Sequence, residues 1–118
     1  MKLAVVGSRS FEPFALADKI KKHIEENFVF SCQIEIVSGG ALGADKAAEI
    51  FAVSEGLKFT CIIPEYEKYG RAAPHIRNKK IAEYADAVLA FHDGKSKGTL
   101  NTLDLFRRLG KKCVLIIL

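Results

Sequence analysis

Ile34-Glu35-Ile36-Val37-Ser38-Gly39-Gly40-Ala41-Leu42-Gly43-Ala44-Asp45 carries the chain from a strand-like run into a helix-like run that continues to Glu55. Glycine at such a junction lets the backbone turn sharply and approach a ligand without Cβ interference. The helix beyond it aims free N–H groups and the positive end of its dipole at the same point, which favours an anionic or polar ligand. Two familiar nucleotide loops are excluded. A P-loop needs Lys-Ser/Thr after its last glycine, where this chain has Ala44-Asp45, and the spacing G-G-x-x-G is not the dinucleotide fingerprint G-x-G-x-x-G. A close-packed turn with no ligand would use the same glycines, so the stretch speaks first to fold.

Outward from this junction, the alternation of strand and helix repeats along the chain. The strand-like runs are Leu3–Val6, Ile34–Val37, Phe59–Ile63, Ala87–Phe91 and Cys113–Leu118. Most lack polar alternation, as strands buried on both faces do. The first helical stretch opens near Pro13, a good first-turn residue, and sets Leu16, Ile20 and Ile24 on one stripe. The second places Ala44, Ala47, Ala48 and Phe51 together; the third begins near Pro74; the fourth begins near Gly98 and aligns Thr99, Thr102, Leu103 and Phe106. Such alternation requires parallel strands joined by right-handed crossovers. The expected fold is α/β: a single three-layer Rossmann-like domain over residues 1–118, with a five-stranded parallel sheet of order 3-2-1-4-5 and two helices on each face. The last run, apolar and placed at a sheet edge, invites pairing, so a homodimer or larger homo-oligomer is expected.

Bulk properties narrow the class. With 118 residues, 49% hydrophobic and 27% charged, the chain fits one globular domain. No apolar run approaches the roughly 20 residues of a membrane span. Met1–Gly7 reads as a first strand, not a signal peptide, so a cytoplasmic protein without a membrane partner is expected. Cys32, Cys61 and Cys113 lack metal-ligand spacing and are expected to be reduced, mostly buried thiols. The net charge of +4 is spread over several helices, which permits an anionic ligand without specifying one. No His/Cys/Asp/Glu cluster points to a metal, and no cofactor is indicated.

Ligands of such sheets bind beyond the carboxyl ends of the strands, here near the switch point between strands 1 and 4. Three turns rich in Gly, Ser and charge converge there: Gly7–Phe11, Ser38–Gly43 and His92–Thr99. Ser38, Gly39, Gly40 and Gly43 form either a backbone cradle or a tight helix–sheet contact. Lys97, Gly98 and Thr99 form a second helix start, either a cradle for a ligand or a start that Thr99 simply caps. Gly7 and Ser8 open the first turn, where Ser8 donates its hydroxyl or caps the first helix, and Arg9 pairs with phosphate or with Glu12. Asp45 is the single weak catalytic candidate. Its charge would repel a phosphate by roughly 4 kcal/mol at contact, against about 0.3–1 kcal/mol of helix-dipole attraction, so it is expected on ribose hydroxyls or simply at the helix start. Arg77 and Asn78 lie in the first turns of the third helix; Asn78 shares the face of Ile81 and Ala85 and is expected to be buried and hydrogen-bonded. Tyr66 and Tyr69 are expected as a lid over a base or else packed over the domain edge, and His75 and His92 are acid–base groups by type.

Taken together, Gly7-Ser8-Arg9…Phe11, Ser38–Asp45, Tyr69-Gly70-Arg71-Ala72-Ala73…Ile76-Arg77-Asn78, Ala85-Asp86…Phe91 and Ser96-Lys97-Gly98-Thr99 resemble the YspA/YpsA-related branch of the SLOG superfamily. The resemblance spans essentially the whole chain with its motifs in order. It implies a Rossmann-like domain that binds nucleotides or nucleotide-derived ligands. Distant members include the Lonely Guy phosphoribohydrolases, the DNA-processing protein A recombination mediators and sensors of NAD-derived signals. Lonely Guy enzymes carry P-G-G-x-G-T-x-x-E, whose glutamate takes part in cleaving an N-glycosidic bond. Here Gly98-Thr99 keeps the G-T, Lys95 and Ser96 replace the preceding glycines, and Thr102 stands at the glutamate position. Threonine is no base near neutral pH without a partner. The leading expectation is therefore a binder of a nucleotide or NAD-derived small molecule, acting as a sensor or carrier. A nucleotide N-glycosidase relying on Asp45 is the first alternative, and nucleic-acid binding the second.

Overall fold

The apolar runs become strands whose faces are covered by helices, the two edge runs only in part. In the computed structural model, which describes residues 1–118, they form β1 (Lys2–Gly7), β2 (Glu35–Ser38), β3 (Lys58–Cys61), β4 (Ala87–His92) and β5 (Lys112–Ile117). All pairings are parallel and the order is β3-β2-β1-β4-β5. Along β1 the side chains alternate. Leu3 and Val5 enter a core with Ile20, Ile36 and Phe51, while Ala4 and Val6 enter another with Ile81, Val88 and Phe106. Helices α1 (Pro13–Asn27) and α2 (Ala44–Glu55) cover the first face; α4 (Ala73–Tyr84) and α5 (Lys97–Arg108) cover the second. The α/β architecture, strand order and helix distribution follow the sequence reading.

Three details differ from that reading. A helical turn, α3 (Tyr66–Tyr69), and a 3-10 turn (Gly70–Ala72) precede α4; elements this short carry no readable periodicity. The third strand ends at Cys61, although the Ile62 N–H still donates to the Ser38 carbonyl at 2.9 Å. The cysteines also depart from expectation: Cys32 and Cys61 are exposed and Cys113 is half-buried. Cys61 lies on an edge strand and Cys32 in a turn, so apolar sequence neighbours do not bring cover. No helix is long and apolar enough to cross a membrane.

Helix ends are closed by specific side chains. The Glu12 carboxylate accepts from the Phe14 and Ala15 N–H groups at 3.2 and 2.6 Å, which caps α1. Lys111 Nζ donates to the carbonyls of Ala82, Glu83 and Ala85 at 2.6, 3.1 and 2.7 Å, placing a cation on the C-terminal carbonyls of α4. At the amino end of the sheet, Glu35 is buried on β2. It accepts from Thr60 Oγ1 at 2.8 Å and from the Tyr84 hydroxyl, and pairs with Lys58 Nζ at 3.3 Å. Burial pushes this carboxyl up, but the hydrogen bonds of Tyr84, Thr60 and Lys58, with the Lys58 charge, outweigh it and hold it below the usual range.

A carboxylate depressed in the folded state contributes stability that is complete above its unfolded value and lost as pH falls through its folded value. Glu35→Gln is therefore expected to lower Tm by a few degrees at pH 7. The difference from the parent should shrink at pH 3. Thermal unfolding at the two pH values checks this; an equal loss at both would assign the effect to packing instead of charge.

Candidate functional site

Because every strand runs the same way, the turns after β1, β2 and β4 all open on one edge of the sheet. β1 and β4 are neighbours, yet the helices that follow them cover opposite faces. The chain parts between them, and this parting is where ligand crevices form in such sheets. A cleft of about 550 Å³ lies there, with polar residues making most of its lining. Of the residues singled out from sequence, Gly7, Arg9, Gly39, Asp45, Arg77, Asn78, Gly98 and Thr99 line it. Ser8, Ser38, Gly40, Gly43 and Lys97 lie outside the lining.

Most of these outlying residues hold the walls. Gly43 has φ +68°, and a Cβ there would come within 2.4 Å of the Ser8 carbonyl oxygen. That approach lets the Ala44 N–H donate to the same oxygen at 3.2 Å, locking the start of α2 to the turn after β1. Gly40 faces β3, with Cys61 Sγ 3.0 Å from the position of a Cβ. Ser8 Oγ accepts from the Asp93 N–H at 3.1 Å, and Ser38 Oγ is buried 3.5 Å from the Asp45 carbonyl.

At the cleft floor a carboxylate and a guanidinium close on one backbone position. Asp45 is 7% exposed, and its Oδ2 accepts from the Ala41 N–H at 3.1 Å. Arg77 is 9% exposed; its Nη1 donates to the Gly39 carbonyl at 2.5 Å and its Nε to Asn78 Oδ1 at 2.7 Å. A Cβ at residue 39 would lie 2.7 Å from Arg77 Nη1 and 3.0 Å from Asp45 Oδ2, so any other residue would push the guanidinium from its present place. Burial raises the Asp45 carboxyl above its ordinary value, against the opposing pull of the Ala41 N–H and the charges of Arg77 and Arg9. Asn78 is half-buried, not buried, because the cleft opens beside it, and its hydrogen-bond partner is Arg77.

The opposite wall is the start of α5, where no side chain caps the first N–H groups. Gly98 faces open space there, and Ser96 Oγ lies 3.2 Å from Thr99 Oγ1. Asp93 holds the preceding turn. Its Oδ2 accepts from Ser10 Oγ at 2.7 Å, and its Oδ1 from the Lys95 and Ser96 N–H groups at 2.8 and 3.0 Å. These bonds, Ser10 first, keep the carboxyl far below the usual range, so it stays ionised and donates no proton. His92 is buried, with Nε2 2.7 Å from the Ser96 carbonyl and Nδ1 accepting from the Gly94 N–H at 3.1 Å. Both ring nitrogens serve the turn. Thr102 Oγ1 donates to the Gly98 carbonyl at 3.1 Å, which binds the hydroxyl to its own helix.

Other expectations are corrected. Tyr66 and Tyr69 do not line the cleft; Tyr69 lies beneath the ammonium groups of Lys68 and Lys80, 5.1 and 5.5 Å from its ring centre. Arg9 has no carboxylate partner, since Glu12 caps α1 instead. The sequence reading gave no individual role in the site to Asp93 or Asn101. Asp93-Gly94-Lys95-Ser96 carried a usable signal, because an aspartate before glycine commonly bonds N–H groups two and three residues on. Asn101 carried none.

Comparison with known proteins bears on the first part of the chain. Residues 1–69 match the family model of DNA recombination-mediator protein A, from β1 through α3. The match includes the switch-point glycines and Asp45 but stops short of Arg77 and α5. No curated protein and no solved structure shows a significant match. With a match over more than half of its length and a Rossmann-like parallel sheet beneath it, the chain belongs to the DNA recombination-mediator protein A family, within the SLOG superfamily.

Proposed function

We propose that this chain binds a nucleotide-type small molecule in the switch-point cleft, as a sensor or carrier module. One observation carries the reading: an uncapped helix start and a buried arginine face each other across a single polar cleft. Free N–H groups at the start of α5 suit a phosphate. Arg9 at the cleft mouth adds charge, and Arg77 keeps N–H groups beyond those bound to Gly39 and Asn78. Asp45, across the cleft from α5, suits ribose hydroxyls, which donate to a carboxylate. The glycine-rich turn after β2 contributes mainly shape, because its Ala41 N–H and the Ala44 N–H already have protein acceptors.

Catalysis is the second reading, and a specific observation favours it. Asp45 is the one cleft carboxylate whose pKa is raised, which suits a proton donor in N-glycosidic cleavage. Against this, Thr102 and Asp93 are both engaged with their own turn, which leaves Asp45 without a second acid–base group among the carboxylates.

Thermal unfolding against AMP, GMP, ADP-ribose and NAD tests the reading. A ligand at 100 times its Kd adds about 2.7 kcal/mol, or roughly 10 °C in a domain of this size. No shift with any of them contradicts it. Affinity for single-stranded DNA that collapses with salt, alongside indifference to free nucleotides, would point to nucleic acid instead.

Two substitutions separate binding from folding. Gly98→Asp has open space around it and places an acid in the first turn of α5, which favours the helix. It is expected to leave Tm unchanged or slightly raised, and to weaken nucleotide binding by about tenfold or more through repulsion of phosphate. Calorimetric titration measures the loss. For Asp45, a raised folded-state pKa means that its contribution to stability is greatest at low pH and falls as pH rises from the unfolded value through the folded one. Asp45→Asn keeps an oxygen for the Ala41 N–H and removes the buried charge, so Tm at pH 7 is expected to hold or rise while nucleotide affinity drops about tenfold. Free base released from AMP by the parent, and lost in this variant, would establish the enzyme reading; unchanged AMP supports the binder.

A further inference from the structure

A second cavity, of about 170 Å³, continues the cleft between α4 and α5. It shares His75, Asn78 and Asn101 with the main cleft and adds Asp104 and Arg108 at its far end. Asp104 lies six residues beyond Gly98, or about 9 Å along the helix. That is the reach of a nucleoside monophosphate from its phosphate to the edge of its base.

The polar groups in this groove have defined senses. Arginine has no acceptor, so the contact from Arg77 Nε fixes the Asn78 amide with Oδ1 toward Arg77. Asn78 Nδ2 is thereby left as a donor in the wall shared by both cavities. Asp104 offers only acceptors. Its present partner is Arg108, at 2.8 Å, with side chains 52% and 74% exposed, respectively. An exposed pair of this kind is readily opened. The freed guanidinium is planar and stacks well on a base.

We propose that this groove is the base-recognition end of the site and selects guanine. The proposal rests on the placement of phosphate at the start of α5. Guanine presents two neighbouring N–H donors, N1–H and N2–H, which match the two oxygens of Asp104, and an O6 acceptor, which matches Asn78 Nδ2. Adenine has an acceptor at N1 and would set its lone pair against the Asp104 carboxylate. Hypoxanthine keeps N1–H and O6 but lacks the N2 amino group.

Calorimetric titration of the full chain with GMP, IMP and AMP, repeated with Asp104→Asn, tests the assignment. The parent is expected to bind GMP at least about tenfold more tightly than AMP, within the range of a bidentate base contact, with IMP between them. Asp104→Asn touches only an exposed pair, so it should fold normally; it removes an acceptor for guanine and the charge that opposes adenine N1, so AMP is expected to bind more tightly than to the parent and the GMP preference to fall to about threefold or less. Equal affinity of the parent for GMP and AMP overturns the guanine subsite alone, as does a preference that survives in Asp104→Asn. Binding of none of the three nucleotides overturns the cleft reading and the subsite together.

Discussion

The cleft exists because β1 pairs on both edges at once, with β2 on one side and β4 on the other. A central parallel strand must be covered on both faces, and each crossover must place its helix on one of them. When the helices after β1 and β4 leave to opposite faces, nothing fills the space between the two strand ends. The register then determines which residues border that space. Gly7 sits opposite Phe91, and the Ser8 N–H donates to the Phe91 carbonyl at 3.0 Å. Ser8, Ser10 and Asp93 extend this pairing into the turns, so the two sides of the crevice are cross-linked by hydrogen bonds before any ligand arrives.

Within that frame the molecule keeps an aspartate and an arginine away from water. Asp45 and Arg77 are both more than nine-tenths buried, on either side of Gly39. Neither bonds to the other: Asp45 accepts from the Ala41 N–H, and Arg77 donates to the Gly39 carbonyl and to Asn78. Under the proposed function, such placement would hold binding groups in position before a ligand enters. By contrast, the Glu35 cluster at the amino end of the sheet is fully partnered and borders neither the main cleft nor its extension. Its work is to join β2, β3 and α4.

How far the sequence could be read depended on the range of the interactions involved. Continuous apolar runs such as Val88–Phe91 reveal strands buried on both sides, and alternation with helices then leaves few topologies. Turn positions at the switch point follow from the same logic, which brings Gly39, Asp45 and Gly98 to the cleft lining. Roles were harder. Gly43 meets a neighbouring turn and Gly39 meets two charged side chains, yet glycine marks both kinds of crowding equally. The fixed sense of the Asn78 amide needed its contact with Arg77 to be seen. The partnership of Ser10 with Asp93 spans 83 positions, beyond any local pattern. The tyrosines misled for a related reason: the place of Tyr69 beside Lys68 and Lys80 depends on the packing of α3 against α4, which no periodicity reports.

The central claim is that a nucleotide occupies the crevice between β1 and β4 with its phosphate at the start of α5. An amide-resolved NMR titration of the 15N-labelled chain with GMP tests it most directly. The account predicts shifts concentrated at Gly39, Ala41, Lys97, Gly98 and Thr99, with the Arg77 side-chain signals moving in step. Shifts confined instead to the groove around Phe28, Ser31 and Lys112 at the other end of the sheet, or none at all at saturating GMP, would contradict it.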